Sequence, residues 1–404
     1  MKRFSYLFWI VLLAFVFIPN CTNSGQSETP KPENVYRIVY QQKPNEWYVQ
    51  QAELWKKEIE KNPKNPAAWY NYYNANRYAR YEETIDTKDK KARLEKIIEE
   101  MGEAIPGTYE YFLLKHWNTF NLTDISLIEK AYQLDPKRVD TYYAFISHYE
   151  FTGQEKKLEE FCEKLYESDD IAPGLIDYNY NVLMSTDENA ILFTNGDNDT
   201  YPLWMLQKAL NIRKDVTVLN IPISTRTKKS YLERKLKDRK ISMDFDKLPD
   251  LMDENFLPEF CKSLTAKYPD IPIYFALTVN EYFTKALTDD LYIVGLAYQY
   301  SPKRIDNLAL LRKNLEKNLR LDYLTYDWYD ESYLAEDIIA TMNTNYIAPM
   351  IMLVEHYKTS GEDEKAEEWG DLVFVIALKS GKKALIEEIE KKCPSERIIN
   401  KDRF

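Results

Sequence analysis

Histidine, glycine and cysteine are all scarce in this chain of 404 residues, which holds 3 His, 10 Gly and 4 Cys. Each scarcity excludes something. His116, His148 and His356 are scattered over apparent helices, so histidine-based catalysis has little to work with. So few glycines argue against a sandwich or propeller built from tight turns, and for helices. Cys21, Cys162, Cys261 and Cys393 show no metal-ligand spacing, so neither a zinc site nor a disulfide framework is expected; buried free thiols, or at most one long-range disulfide, remain. No basic block offsets the net charge of -11, which argues against nucleic acid as a partner. The apolar run from Tyr6 to Ile18 falls short of the roughly 20 residues that a membrane-spanning helix needs.

What is present begins with that run. MKRFSYLFWIVLLAFVFIPNC has Lys2 and Arg3 at its start, an apolar middle and a single cysteine at its end, and TNSGQSETPKPEN follows. The stretch resembles a bacterial lipoprotein signal, which implies a signal peptide over residues 1–20, lipidation at Cys21 and a flexible tether over 21–34. Plain secretion with cleavage nearby is the alternative. The address expected from the lipoprotein pattern is the periplasm, on the outer membrane, with the lipid anchor as the only membrane attachment.

Aromatic residues are abundant, with 32 Tyr and 8 Trp, and they recur in phrases that follow a proline. NPAAWYNYY, IPGTYEYFLLKHW, DPKRVDTYYAFISHY and APGLIDYNYNVLM begin around Pro66, Pro106, Pro136 and Pro173. This spacing scatters about the helix-pair repeat length of roughly 34. Proline ends one helix and is preorganised for the first turn of the next, so each phrase should open a helix whose aromatic face packs on a neighbour. In DPKRVDTYYAFISHYEFTGQEKKLEEFCEKLYE, Gly153 marks the turn between two amphipathic helices. The pattern resembles divergent tetratricopeptide repeats over 35–188, with a last copy near the C-terminus turning at Gly361, inside a helical region over 301–404. Stacked helix pairs of this kind imply a concave surface for envelope proteins or peptides.

Near Asn189 the pattern changes. AILFTNGD, DVTVLNIPI and IPIYFALT are short runs rich in β-branched and aromatic residues, separated by the helical stretches TYPLWMLQKALNI, KKSYLERKLKDRK and ENFLPEFCKSLTAKY. Strand alternating with helix predicts a parallel sheet with crossovers. The expected fold is therefore α/β plus all-α: tetratricopeptide-like helical repeats flanking a small parallel-sheet α/β domain over 189–300.

The first of those strands ends in NGDNDT, at the sheet edge where α/β domains bind ligands. Asn195-Gly196 suits a turn, and Asp199 or Thr200 suits a cap on the helix that Pro202 opens. Asp197 is then one carboxylate more than capping needs. Asn195, Asp197, Asn198, Asp199 and Thr200 form the candidate ligand loop, with Asp197 and Asp199 able to share a divalent cation. After the second strand, Arg226, Lys228 and Lys229 should reach the same edge, where cations beside carboxylates suit a glycan or a lipid-linked sugar. Asn280 and Glu281 would complete the rim. A cap-and-turn role, ligand or metal binding, and catalysis all remain open on these residues.

ILFTNGDNDTYPLWMLQKALNIRKDVTVLNIPI closely resembles a segment in the soluble C-terminal part of bacterial integral-membrane proteins described as protein O-mannosyltransferase-like, and the similarity extends over roughly 185–380. Their membrane-embedded transferase region has no counterpart in these residues, so the resemblance implies an envelope address and an architecture and does not carry their transferase chemistry over. The expected function is a binding or assembly protein of the cell envelope, accessory to glycosylation or secretion machinery. The alternative is a metal-dependent transferase or hydrolase acting on glycans through Asp197 and Asp199.

Overall fold

The structure, a computed structural model, describes residues 30–81, 87–119, 121–227 and 229–392. Cys21, Lys228 and Cys393 lie outside the described residues. Among the described residues, no helix is long and apolar enough to cross a membrane.

Proline, asparagine and glycine punctuate the helical first half much as the sequence predicts. Helices α1 (Asn45–Lys61) and α2 (Pro66–Tyr78) pack on each other; Asn65 caps α2 by accepting from the Ala67 N–H, with Pro66 at the first helical position. Helices α3 (Thr87–Ala104), α4 (Tyr109–Thr119) and α5 (Ser126–Leu134) follow. Next come α6 (Asp140–Thr152), α7 (Glu155–Glu167) and α8 (Pro173–Met184). Gly153 ends α6 at φ 72°, the left-handed conformation that favours glycine, and α7 turns back along α6.

The α/β unit starts with the three predicted strands. They are β1 (Ile191–Thr194), β2 (Thr217–Asn220) and β3 (Ile273–Ala276), with β1 central and parallel to both neighbours. Every residue of the three is buried, which fits a strand covered on both faces. Between them lie α9 (Tyr201–Lys208), α10 (Ile221–Arg226), α11 (Ser230–Asp238) and α12 (Phe256–Lys267). After the single turn α13 (Glu281–Thr284), an antiparallel hairpin extends the sheet: β4 (Leu291–Ile293) and β5 (Ala297–Tyr300) give the order β2-β1-β3-β5-β4. The sheet is mixed, with the expected parallel part intact.

Helices α14 (Asn307–Lys313), α15 (Glu336–Asn343), α16 (Ile347–Ser360), α17 (Asp363–Lys379) and α18 (Lys383–Lys392) complete a mostly helical molecule. Gly361, at φ 76°, is the turn of the α16–α17 pair. Asn181 of α8 donates to the Tyr346 hydroxyl (2.7 Å) and the Arg320 carbonyl (2.6 Å), so the C-terminal helices close onto the last repeat. Cys162 and Cys261 are buried free thiols, and burial pushes both pKa values up.

One element was not expected. Residues 33–37 form an extended strap across α1 and α2 that closes in a turn over 38–40, where the tether was expected to run to residue 34. Val35, 1% exposed, enters a cluster with Tyr48, Ala52, Ala75 and Ala79. Its N–H donates to Asn71 Oδ1 (2.6 Å) and its carbonyl accepts from Asn74 Nδ2 (3.3 Å), while the Glu33 N–H reaches Gln51 Oε1 (2.8 Å). Helix side chains thus satisfy the strap's backbone in place of a sheet partner.

Candidate functional site

The loop Asn195–Thr200 is held from within by Asp199. This carboxylate is 3% exposed and accepts from the backbone N–H groups of Asn195 (2.9 Å) and Gly196 (2.6 Å) and from the Thr278 hydroxyl at the end of β3. Burial pushes its pKa above the ordinary aspartate value, and those hydrogen bonds pull the other way. Thr200 occupies the N-cap position of α9 but makes no side-chain capping bond. Its hydroxyl lies 2.8 Å from Thr194 Oγ1 and 3.0 Å from Asn220 Nδ2, tying the ends of β1 and β2 together. The predicted cap by Asp199 or Thr200 is therefore corrected: Asp199 reaches back into its own loop and Thr200 crosses to the next strand.

Asp197 points elsewhere. Its Oδ2 lies 2.9 Å from Arg37 Nη2, and Arg37 sits over the rings of Trp117 (5.4 Å) and Tyr143 (5.0 Å). The two carboxylates are thus engaged separately, Asp199 by loop donors and Asp197 by a guanidinium. Among the described residues, no group of three or more His, Cys, Asp or Glu could hold a metal ion. This donor set does not fit the shared-cation arrangement expected of Asp197 and Asp199.

Above the loop opens a cavity of about 520 Å³, within the size range of small-molecule sites. The α/β unit contributes Gly196, Asp197, Thr200 and Tyr201 from the loop and α9, Trp204 from α9, Asn220 from β2 and Arg226 from α10. The repeats contribute Arg77 from α2, His116 and Trp117 from α4, and Tyr143 and Ser147 from α6. The walls are aromatic: Tyr201 stands edge-on to Tyr143 (4.9 Å) and to Trp204 (5.7 Å), and its hydroxyl lies 2.7 Å from Ser147 Oγ. Burial pushes the Tyr201 pKa up and the His116 pKa down to about 4, so both are neutral near pH 7.

Of the sequence-predicted residues, Asp197, Thr200 and Arg226 line this cavity. Asp199 stays beneath it. Asn198 faces the strap, its Nδ2 donating to the Val39 carbonyl (3.1 Å), and Asn195 offers its backbone N–H to Asp199. Lys229 turns away to the carbonyls of Leu248 (2.7 Å) and Phe245 (3.2 Å). Asn280 caps α13 through the Tyr282 N–H, so neither it nor Glu281 joins the rim. Arg37, Arg77, His116, Trp117 and Tyr143 were missed as site residues. For Arg37 a signal exists in NVYR, where Val35 and Arg37 face inward and Asn34 and Tyr36 outward, the period-two pattern of extended backbone.

With that geometry in place, likeness to a known domain can be located on it. Residues 175–233 match the family model of TMEM260-associated domain 2. The match runs from α8 into α11 and includes the NGDNDT loop, β1, β2 and Arg226. It is compatible, at the level of a TMEM260-related family, with the resemblance seen in the sequence. No curated protein matches the chain. The TMEM260-related stretch supplies one wall of the cavity, and α2, α4 and α6, outside it, supply the other.

Proposed function

We propose that this protein is an envelope lipoprotein acting as a binding or assembly protein, accessory to glycosylation or secretion machinery, with the cavity over the NGDNDT loop holding a polar ligand. The observation that carries this reading is the double-walled cavity: aromatic and polar side chains of the helical repeats face the polar loop at the carboxyl end of β1 across about 520 Å³. Aromatic faces with Asn and Ser side chains suit the mixed apolar and hydroxylated surface of a glycan. The likeness of residues 175–233 to a TMEM260-related domain supports an association with glycosylation. The lipid anchor at Cys21 and the periplasmic, outer-membrane address rest on the N-terminal sequence, and binding of envelope proteins rests on the repeat-like helix pairs.

The test is a thermal-shift screen of the full-length protein against glycans extracted from the envelope, with Trp117→Ala alongside. A ligand that raises the melting temperature of the wild type and not of Trp117→Ala supports the cavity as the site. If no glycan shifts the wild type and in-cell crosslinking recovers no envelope protein, the reading fails. Labelled palmitate incorporated by the wild type and lost in Cys21→Ala would test the anchor separately.

A further inference from the structure

We propose that the loop over residues 326–334, just before α15, is a docking site for a basic, arginine-bearing segment of a partner protein, with the Trp328 indole as the platform for the cation. No residue of this loop lines the cavity, so the surface is a separate one and stands whether or not the cavity holds a glycan.

Trp328 is 66% exposed, more than any other large apolar side chain among the described residues, and Tyr326 and Leu334 of the same loop are exposed with it. Tyr326 stacks on the indole at 5.4 Å with the rings 15° apart, and Tyr329 stands edge-on to it at 5.6 Å. Apolar side chains scattered singly over a surface are ordinary; aromatic rings gathered in one exposed cluster mark a place where something docks.

The loop is pinned although its tryptophan is not. Asp327 pairs with Lys379 of α17 (3.1 Å), and the Tyr329 hydroxyl donates to Asp177 Oδ2 on α8 (2.6 Å). Asp330 Oδ1 accepts from the Gly174 N–H at the start of α8 (2.8 Å), where the lack of a Cβ leaves the carboxylate room. Neighbours on both sides of Trp328 are thus fixed, and the ring is presented without ordering a loop on binding. A rigid aromatic anchor of this kind is what the centres of protein interfaces use.

Charge decides what the platform takes. From Leu321 to Glu355 the sequence contains no Lys, Arg or His, whereas Asp322, Asp327, Asp330, Glu331, Glu336 and Asp337 fall in or beside the loop. Arg320 and Lys379 answer Asp177 and Asp327 from outside it. Asp322, Glu331, Glu336 and Asp337 are exposed and make no ion pair among the described residues. The carboxylates also crowd one another: burial first, then the charges of Asp177 and Glu336, push the Asp330 pKa up against the Gly174 hydrogen bond and Lys379. A cation relieves that crowding and gains in addition from the indole, the best aromatic face for a positive charge. A neutral sugar would use the rings and leave the repulsion as it was. Guanidinium suits the site further because its plane stacks on an aromatic ring while its edge donates to carboxylates.

The probe is a short fluorescein-labelled peptide of alternating glycine and arginine, titrated with the full-length protein and read by fluorescence anisotropy, with glutamine in place of arginine as the control. Saturable binding of the arginine peptide alone is expected, weakening as salt rises. Trp328→Ala should lower its affinity about tenfold and Trp328→Phe less, and neither should move the melting temperature, because the side chain faces solvent. Glu331→Gln combined with Asp337→Asn should weaken binding about threefold. Glu53→Gln combined with Glu60→Gln removes the same charge from exposed positions of α1 and should leave binding unchanged. The proposal is overturned if the arginine peptide does not bind, if Trp328→Ala binds it as the wild type does, or if the α1 pair weakens it as much as the loop pair, since the attraction would then belong to net charge alone. Cellohexaose bound through Trp328 by a protein that ignores the arginine peptide would overturn it as well and assign the platform to glycans.

Discussion

Replacing Asp199 with alanine strands the backbone N–H groups of Asn195 and Gly196 and the Thr278 hydroxyl, all partly buried donors with no other acceptor at hand. Asp199→Ala should therefore cost about 2–3 kcal/mol, read as a lower midpoint in urea with an unchanged slope. Asp197→Ala, in contrast, breaks one ion pair on a side chain that is 43% exposed, and should cost less than about 1 kcal/mol. Equal losses at the two positions would contradict the division of labour between loop staple and cavity wall. His116 makes a third, pH-dependent statement. Its folded pKa of about 4 lies below the ordinary value of 6.5, with burial as the leading cause. The unfolded chain therefore takes up a proton first as pH falls, and stability drops between about pH 6.5 and pH 4 by roughly 3 kcal/mol. His116→Gln removes that dependence, so its melting temperature should fall less than that of the wild type over this window. A parallel fall in both proteins would place the acid sensitivity elsewhere.

The strap is the element that most needs testing, because it carries Arg37 into the site. Val35→Asp puts a charge into a cluster that excludes water, so the strap should leave α1 and α2 while the helices stay folded. Trypsin cleavage after Arg37 should then accelerate at least tenfold, with far-UV circular dichroism unchanged; unaltered cleavage would mean that Val35 does not hold the strap. Other elements were easier to read in advance. Pro66 and Pro173 open helices and Gly153 and Gly361 end them, because backbone conformation at those positions is decided locally. The strands β1, β2 and β3 stand out as short, fully buried apolar runs. The β4–β5 hairpin gave no such signal: β4 is a half-buried edge strand, and its turn depends on Gly295, where a Cβ would strike Ser185, the residue that follows α8. The site divides along the same line. NGDNDT announces itself by local polarity, whereas Arg37 meets Asp197 across 160 residues of sequence and Arg77 reaches the cavity only through the stacking of α2 on α4. Contacts made by tertiary packing leave no mark in a short window of sequence.

At the scale of the molecule, the apolar interior is unevenly shared, and the cavity lies on the seam. One continuous core runs from Tyr109 to Ile389, joining α4 through α8, the sheet and the C-terminal helices. Residues of α1, α2, α3 and the strap form two smaller clusters apart from it, linked to the body by Leu114 and Trp117 of α4. Among the described residues, polar ties across the seam include Arg37 to Asp197, Asn198 to the Val39 carbonyl, Tyr40 to Asp170 at 2.7 Å and Tyr73 to Asn118 at 3.4 Å. An N-terminal unit held this way should open below the global unfolding free energy. Native-state hydrogen exchange should accordingly show α2 amides exchanging through a cheaper opening than those of β1 and β2. Arg37→Ala should lower protection in α1 and α2 further and leave β1 and β2 as they were; equal loss in the strands would mean that the chain opens as one unit.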